Sequence, residues 1–443
     1  MKKILAIILA AAMIMGLAAC GGSGGTDNTE TPAANGSAAE TAGGNAAASA
    51  DAYPNANADG SLNLDTVAMY DPTYDYSQNP SYRVCDIANA STQLYTRAAD
   101  YAEVLCENMN LQWMGFSSSE GDNDLFMTLL QQKLDEGVDI MILDPDSTTF
   151  PSVVALMDQY PDVVWMSQMS PARDGATGDG VPVGGNLLHP SVGFSNYDAG
   201  WRQMERLFQW KEETYPDVDW SEVGCIAMDY SIVPVLHERV EGAQDFWAEN
   251  APAEVQDHLF IADCSAAGLT QQAAIDVAGP IISNNTNIHY WLIQGNVEDW
   301  SQGACTVLSN AGLEETSCAV TFGGAAIESQ WDAGVYNSFR YSLTSANAQY
   351  IGTCLGACYA VKNGWATMDT LWPSWVRSSD HGTDGHTYAQ FLVPTFWEDA
   401  DTYQHFLEWT DLYSGASFYD YDVDVSIDDY PMIPTVPDGY ADT

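Results

Sequence analysis

The chain has 443 residues, which is more than a single hydrophobic core usually serves, so its length predicts two lobes with accessory segments. Hydrophobic residues make up 46% of the sequence and aromatic residues 11%, a composition typical of a folded protein. The formal net charge is -48, because the chain has 13 Lys and Arg but 61 Asp and Glu. Such a surface repels phosphate backbones and anionic membranes, so nucleic acid is excluded as an expected partner.

The first 20 residues have the pattern of an export signal. Two lysines precede an apolar segment from Ile4 to Met15, which is too short to span a membrane in the mature protein. The signal ends in Leu-Ala-Ala-Cys at Cys20, which resembles the bacterial lipobox. This resemblance implies cleavage before Cys20 and attachment of a diacylglycerol to its sulfur. The protein is therefore expected to be exported and lipid-anchored to the outer face of the bacterial cell membrane.

Residues 21–78 are predicted to form a flexible tether. The stretch begins with Gly, Ser, Ala, Asn, Thr and Pro, with scattered acidic residues and almost nothing to bury. Folding is predicted to begin near Tyr82.

Eight cysteines follow Cys20, and none of them is spaced as CxxC, so a zinc ribbon or a thioredoxin-like site is not indicated. An exported location permits disulfides. Cys305 with Cys318 and Cys354 with Cys358 are the candidate pairs, and free buried thiols are the alternative.

Residues 79–195 predict a first lobe in which apolar strands alternate with helices. Strands are predicted over 82–88, 111–116, 138–143 and 163–166, and helices over 95–108, 123–136 and 151–160. Four strands that alternate with helices predict a parallel sheet.

The same alternation restarts in residues 196–349 and predicts a second lobe of the same class. Helices are predicted over 201–214, 235–249, 271–283 and 299–310, and strands over 223–228, 258–262, 288–293 and 318–322. A helix over 351–362, a strand over 391–396 and a helix over 400–412 follow, and the role of the acidic extension, residues 413–443, stays open.

Two aspartates end the strand in Gly137-Val-Asp-Ile-Met-Ile-Leu-Asp-Pro-Asp146. Because ligands of open α/β sheets collect at the carboxyl ends of the strands, Asp144 and Asp146 are predicted to face a crevice that holds a small polar molecule. The alternative is that one of them caps the helix that follows.

Together with the lipobox and the tether, the segments Phe194-Ser-Asn-Tyr-Asp-Ala-Gly200 and Leu236-His-Glu-Arg-Val-Glu-Gly242 and the helix opening at Tyr350 resemble the type I periplasmic binding proteins, in particular sugar-binding lipoproteins of ABC importers. The resemblance covers about residues 80–410. It implies an α/β fold of two Rossmann-like lobes with parallel sheets joined by a three-strand hinge, with residues 350–390 returning to lobe 1 and residues 391–412 to lobe 2. Hinge positions are expected at 195–198, 345–349 and 391–394.

Carried over position by position, the resemblance implies a ligand site and no cofactor. Its expected members are Asn89, Ser91, Gln93, Tyr95, Asp144, Asp146, Ser167, Gln168, Asn196, Arg239, Asn296, Glu298, Trp300 and Phe322.

Four positions depart from the family pattern. Ser167-Gln168 stands where the family has Asp-Arg, Phe322 is followed by Gly323 where the family has aspartate, and Ala346 replaces a glutamine. The usual recognition of a pentose or glucose is therefore not implied, and the identity of the ligand stays open.

Arg239 has an alternative role, as one partner of an ion pair with Glu238 or Glu241 on the helix surface. In a chain with so few cations we favour the ligand site, where the planar guanidinium can bind two adjacent oxygens at once.

The leading functional hypothesis is a monomeric, non-enzymatic receptor that delivers a carbohydrate or similar solute to an ABC transporter permease. A glycoside hydrolase using Asp144 with Glu298 or Asp299 is the enzymatic alternative, and a ligand sensor for a signalling receptor is a third. No GxSxG, HExxH or P-loop motif supports another chemistry.

Two acidic segments suggest metal sites only weakly. The segment 380–386 is better interpreted as a polar turn. Asp420, Asp422 and Asp424 begin like a calcium loop, but Val425 replaces the required glycine and Pro431 the terminal glutamate, so whether calcium binds stays open.

Overall fold

The computed structural model describes residues 52–410, apart from residues 147, 171, 175–176, 178, 185–186, 346, 374–375, 379–386 and 394. The predicted export signal with Cys20, the segment 380–386 and the acidic extension from residue 413 lie outside the described residues. Within the described part, no helix has the length and apolar composition that a membrane crossing needs.

Strands and helices alternate along the chain, with 3-10 turns at Tyr76–Gln78, Trp220–Glu222 and Ala253–His258. The elements of the first half are β1 (Arg83–Ala88), α1 (Gln93–Asn108), β2 (Gln112–Ser118), α2 (Asn123–Asp135), β3 (Ile140–Asp144), α3 (Phe150–Met157), β4 (Val164–Met169), β5 (Pro182–Gly184), β6 (Leu187–Leu188), β7 (Pro190–Gly193) and α4 (Asn196–Thr214). Those of the second half are β8 (Val223–Asp229), α5 (Pro234–Asn250), β9 (Leu259–Asp263), α6 (Gln271–Asn284), β10 (Tyr290–Gln294), α7 (Glu298–Asn310), β11 (Ser317–Phe322), α8 (Ala325–Asp332), β12 (Phe339–Ser345), α9 (Asn347–Lys362), β13 (Val376–Ser378), β14 (Thr387–Leu392), β15 (Thr395–Glu398) and α10 (Tyr403–Thr410).

The strands form one main sheet in each lobe. The seven strands of lobe 1 have the order β13-β14-β7-β4-β3-β1-β2, and the six strands of lobe 2 have the order β15-β12-β11-β10-β8-β9. All neighbours in both sheets are parallel except β13 with β14 and β12 with β15, which are antiparallel. The predicted fold class, an α/β protein of two lobes with parallel sheets, is confirmed.

The chain passes between the lobes three times. It leaves lobe 1 after β7 and enters α4, returns from β12 into α9, and leaves again between β14 and β15. These passages lie at the positions expected for hinges, and motion about them stays a prediction.

Both faces of each sheet are covered by helices, as the uninterrupted burial of the central strands requires. In lobe 1, one face packs on α1 and α9 and the other on α2 and α3. In lobe 2, one face packs on α4 and α5 and the other on α6 and α7. The helices thus leave the ends of the strands uncovered, and these ends face the other lobe.

The segment before β1 is packed against lobe 1 from residue 52 onward. The prediction of a flexible tether over residues 21–78 is therefore wrong for residues 52–78. Val67, Ala68 and Tyr76 are buried in the core of lobe 1, and the Tyr76 ring lies 5.3 Å from that of Tyr359. The prediction failed because polar residues dominate the composition of this segment, and the few apolar side chains that anchor it were not recognised. Residues 21–51 lie outside the described part.

Lobe 2 contains two elements that the sequence did not predict, α8 and β12. The strand predicted over 391–396 is divided between β14 in lobe 1 and β15 in lobe 2, because the chain changes lobes there. The eight cysteines of the described residues are free and buried, so neither candidate disulfide is formed.

Candidate ligand site between the lobes

Asp144 ends β3 at the edge of the lobe 1 sheet, opposite Ala88 at the end of β1. Its side chain is 2% exposed, and Oδ2 accepts a hydrogen bond from the hydroxyl of Tyr95 in the first turn of α1. The Asn89 N–H donates to the Asp144 carbonyl at 3.0 Å. The predicted Asp144 and Tyr95 are thus brought together by the strand end and the helix that follows β1.

A second carboxyl, that of Asp86, lies one layer below the strand ends. Successive side chains of a strand alternate between the two faces of the sheet. Asp86 therefore shares the face of Val84, which packs on α1 and α9. The Gln168 amide nitrogen donates to Asp86 Oδ1, and both side chains are at most 1% exposed. Sequence reasoning missed Asp86, although a charged residue inside the apolar strand β1 was an available signal.

Arg239 enters from α5 of lobe 2 and is 6% exposed. Its Nε donates to Asn196 Oδ1 at 2.9 Å, and its Nη1 donates to the Asn296 carbonyl at 2.7 Å. The guanidinium and the Tyr95 hydroxyl of lobe 1 are close enough that each affects the pKa of the other. Glu238 pairs with Arg173, and Glu241 lies near His237. Because Arg239 is buried and forms no ion pair among the described residues, the alternative of a surface ion pair with Glu238 or Glu241 does not hold.

An aromatic pair lies beneath the guanidinium. Phe194 follows β7 at the first passage between the lobes, Phe322 ends β11, and the two rings are stacked with centroids 4.2 Å apart. The Arg239 guanidinium carbon lies 4.2 Å above the Phe322 ring and 5.4 Å from that of Phe194. Phe322 was predicted as a site residue, and Phe194 was missed because only the fold places it beside Phe322.

Two ion pairs join the lobes on either side of this site. Arg97 of α1 donates to Glu328 of α8 through both terminal nitrogens, with Nη1 at 2.9 Å from Oε1. Arg173, in the loop after β4, lies 2.6 Å from Glu238 of α5, and both side chains are about 5% exposed. These four residues were not predicted, because neither pair is local in sequence.

Several predicted site residues have structural roles instead. The Asn296 amide is 0% exposed and donates to the carbonyls of Met228 and Leu236, which fixes the ends of β8 and α5. Trp300 is 0% exposed in the core of lobe 2, where its N–H donates to Gly268. The Asn296 amide and the Trp300 N–H, which the sequence assigned to ligand binding, are therefore hydrogen-bonded within lobe 2.

Four other predicted residues lie outside the convergence of Asp144, Tyr95 and Arg239. Asp146 accepts hydrogen bonds from the N–H and hydroxyl of Thr148, a turn before α3. Glu298 accepts from the N–H groups of Ala326 at 2.7 Å and Ile327 at 3.3 Å and so caps α8. Ser91 is exposed, Ser167 is buried within β4, and the side chain of Gln93 lies outside the described residues.

Burial changes the ionisation of the convergent groups. It raises the pKa of Asp144 to about 7, although hydrogen bonds from Tyr95 and Ser170 favour the ionised form. Burial, followed by the charge of Asp144, raises the pKa of Asp86 well above its usual value. Burial also lowers the pKa of Arg239 to about 9. Water is thus largely excluded from these groups, which strengthens their electrostatic interactions with any ligand.

We expect the stability of the ligand-free protein to fall as the pH rises from 5 to 8, and to fall less in Asp144→Asn. A carboxyl whose pKa is raised in the folded state contributes stability at low pH, and this contribution is lost as the pH rises through the folded pKa, here about 7. The difference between wild type and variant over this range is on the order of 3 kcal/mol. Urea unfolding at each pH measures it, and parallel profiles for the two proteins would contradict the assignment.

No protein-family model matches this sequence, and no curated protein matches it either. Solved structures do match it. An ABC transporter periplasmic solute-binding protein from Actinobacillus succinogenes with bound D-allose superposes with a TM-score of 0.54 at 14% identity, over 74% of this chain and 100% of its own. The chain has the type I periplasmic binding protein fold.

Two further binding proteins with this fold give the same result. The Caulobacter myo-inositol binding protein, bound to myo-inositol, has a TM-score of 0.53 at 16% identity and is covered over 95% of its length by 73% of this chain. An arabinose binding protein from Geobacillus stearothermophilus has a TM-score of 0.54 at 11% identity, and the match covers 74% of this chain and 99% of the arabinose binding protein. The solved structures named here are binding proteins, and the likeness extends over nearly the whole length of each.

Proposed function

We propose that this protein is an extracytoplasmic solute-binding protein that captures a carbohydrate or similar small polar solute between its lobes and delivers it to an ABC importer. The observation that carries the proposal is the convergence of Asp144 and Tyr95 from lobe 1 with Arg239 and Asn196 from lobe 2. In a two-lobed fold, such a site is complete only when the lobes are together, so ligand binding and closure are coupled.

The chemistry of the convergent groups suits a polyhydroxylated ligand. The Asp144 carboxyl accepts hydrogen bonds and the Arg239 guanidinium donates them, each through paired atoms. The stacked rings of Phe194 and Phe322 offer an apolar surface beside these polar groups. A sugar has both kinds of surface, hydroxyl groups at its rim and C–H groups on its faces. The bound D-allose and myo-inositol of the similar structures support this ligand class.

The partners follow from the proposed role. We infer a membrane permease as the acceptor of the solute and a lipid at Cys20 as the anchor; the latter rests on the Leu-Ala-Ala-Cys motif. Mass spectrometry of the mature protein tests the anchor, since an unmodified Cys20 after export would remove it. A sensor subunit would use the same ligand site and differ only in its membrane partner.

A screen followed by calorimetry tests the binding function. A thermal-shift screen of hexoses, pentoses, polyols and nucleosides is expected to find at least one compound that raises the unfolding temperature, and titration calorimetry to give one site per chain. Chromogenic glycosides are expected to stay intact in the presence of the protein. Turnover would replace the proposal by a glycoside hydrolase, and the absence of binding across all four classes would contradict it.

We expect Arg97→Gln to shift the protein toward an open form and to weaken the binding of the compound found in the screen by about 3- to 10-fold. The pair of Arg97 with Glu328 exists only while the lobes are together, and a partly exposed ion pair contributes about 1 kcal/mol. Small-angle scattering measures the opening and calorimetry the affinity.

Lys133→Gln is the matched control, because Lys133 in α2 pairs with Glu136 at the end of the same helix. Both partners belong to lobe 1, so this pair does not depend on how the lobes are arranged. The scattering curve and affinity of this variant should equal those of wild type. A wild-type scattering curve for Arg97→Gln, with and without ligand, would show that this pair does not hold the lobes.

A further inference from the structure

Lobe 1 contributes two buried carboxyls close to the site, and no lysine or arginine among the described residues of this lobe balances their charge. Asp86 and Asp144 are 1% and 2% exposed. Among the described residues, no lysine or arginine forms an ion pair with either of them. Arg239, the cation that faces them from lobe 2, donates to Asn196 and to the Asn296 carbonyl.

The two buried carboxyls lie on the same face of the lobe 1 sheet. Asp86 is two residues before Ala88, and Ala88 is paired with Asp144. The side chain of Asp86 lies on the face of the sheet that packs on α1. Burial, and after it the charges of the two carboxyls, raise the pKa of the Tyr95 hydroxyl. By the register of β1 with β3, Asp86 lies two residues deeper in the sheet than Asp144, on the same face.

One buried oxygen of this carboxyl pair is unused. Asp86 Oδ1 accepts from Gln168, but Oδ2 is buried and has no hydrogen-bond partner within the described part of the chain. A buried carboxyl with an unpaired oxygen costs free energy, and native proteins keep few such groups without a reason. Asp86 lies two residues before the end of β1, and the ligand is proposed to bind at the strand ends.

We propose that the solute carries a protonated primary amine, which binds between Asp86 and Asp144. This inference rests on the proposed function and narrows its ligand class from polyhydroxylated compounds to aminated ones, such as amino sugars. An ammonium group has three donors and one positive charge, so it can hydrogen-bond to both carboxyls and balance the charge of one of them while the other stays protonated. A neutral hydroxyl donates one hydrogen bond and leaves the charge unbalanced.

The test compares matched pairs of sugars that differ only in an amino group: glucosamine with glucose, galactosamine with galactose, and mannosamine with mannose. In calorimetry at pH 6.5, where these amines are protonated, at least one aminated member is expected to bind about 10- to 100-fold more tightly than its neutral partner. Titration in two buffers of different ionisation enthalpy is expected to show proton release with the aminated sugar, because its charge favours the ionised carboxyls.

Asp86→Asn is expected to lower the preference for the aminated sugar by about 10-fold and to reduce the proton release, while the part of the preference that rests on Asp144 remains. Asparagine keeps an oxygen for the Gln168 amide and removes an unpaired buried carboxyl, so the ligand-free variant should be at least as stable to heat as wild type. Asp100→Asn is the control, because it changes the net charge equally at an exposed position of α1. It should keep the wild-type preference.

The outcomes separate this inference from the function on which it rests. Equal or tighter binding of the neutral sugars would overturn the amine assignment and leave the solute-binding function intact. An amine preference that is undiminished in Asp86→Asn would also overturn it, since Asp86 would then not take part in recognising the amine. Binding of no member of any pair, with no hit in the broader screen, would overturn both.

Discussion

Arg239→Ala is expected to weaken binding of the screened ligand by about 10- to 150-fold, because a hydrogen bond to a charged group contributes about 1.5–3 kcal/mol. The variant should also unfold more easily. Arg239 is 6% exposed and donates to Asn196 and to the Asn296 carbonyl, so its removal leaves buried acceptors without a partner and a cavity above Phe322. Calorimetry measures the affinity and urea unfolding the stability, both on protein shown to be folded.

Arg239→Lys separates the two roles of this side chain. Lysine keeps the positive charge but loses the planar fork and its stacking on Phe322, so it should recover part of the stability and little of the affinity. Arg206→Ala is the control, because Arg206 stacks on Tyr341, within lobe 2. Wild-type affinity in a folded Arg239→Ala protein would remove Arg239 from the ligand site.

Gly200→Ala is expected to lower the free energy of unfolding by about 3 kcal/mol or more, at the upper end of what overpacking costs. Helices α4 and α5 touch backbone to backbone at two glycines. A Cβ atom on Gly200 would lie 1.7 Å from the Arg239 carbonyl oxygen, and one on Gly242 would lie 2.0 Å from that of Tyr197. Since the obstructing atoms are backbone, the helices must separate, and this moves Arg239 away from Asn196. Ligand affinity should therefore fall together with stability.

Gly352→Ala in α9 is the matched control for this prediction. A Cβ atom there would lie 3.4 Å from Tyr70 and 3.6 Å from Leu105, which is ordinary van der Waals contact, and alanine is favoured over glycine inside a helix, so the variant should be as stable as wild type or more stable by up to about 1 kcal/mol. Urea unfolding of both variants gives the comparison. A Gly200→Ala protein as stable as Gly352→Ala would mean that α4 and α5 are not in close contact.

The sequence by itself determined the architecture and the two residues at the centre of the proposed site. The alternation of apolar strands with helices is a local pattern, and it predicted two parallel sheets without any knowledge of how the lobes meet. A strand that ends on an aspartate was enough to place Asp144 at the edge of a sheet. Arg239 was assigned to the site from a motif resemblance and the scarcity of cations. In the structure it is buried above Phe322, and its role in ligand binding stays a prediction.

Only the tertiary structure decided which polar groups remain available to a ligand. Asn296 was predicted as a ligand group, but its amide is used by carbonyls 60 and 68 residues away. The pairing of Arg97 with Glu328 spans 231 residues, and that of Gln168 with Asp86 spans 82. The hydrogen-bond partner of a residue depends on which distant segment the fold brings beside it. A single sequence carries no local signal for such a long-range contact. For the same reason, the unpaired oxygen of Asp86 became visible only when the strands β1, β3 and β4 were placed side by side.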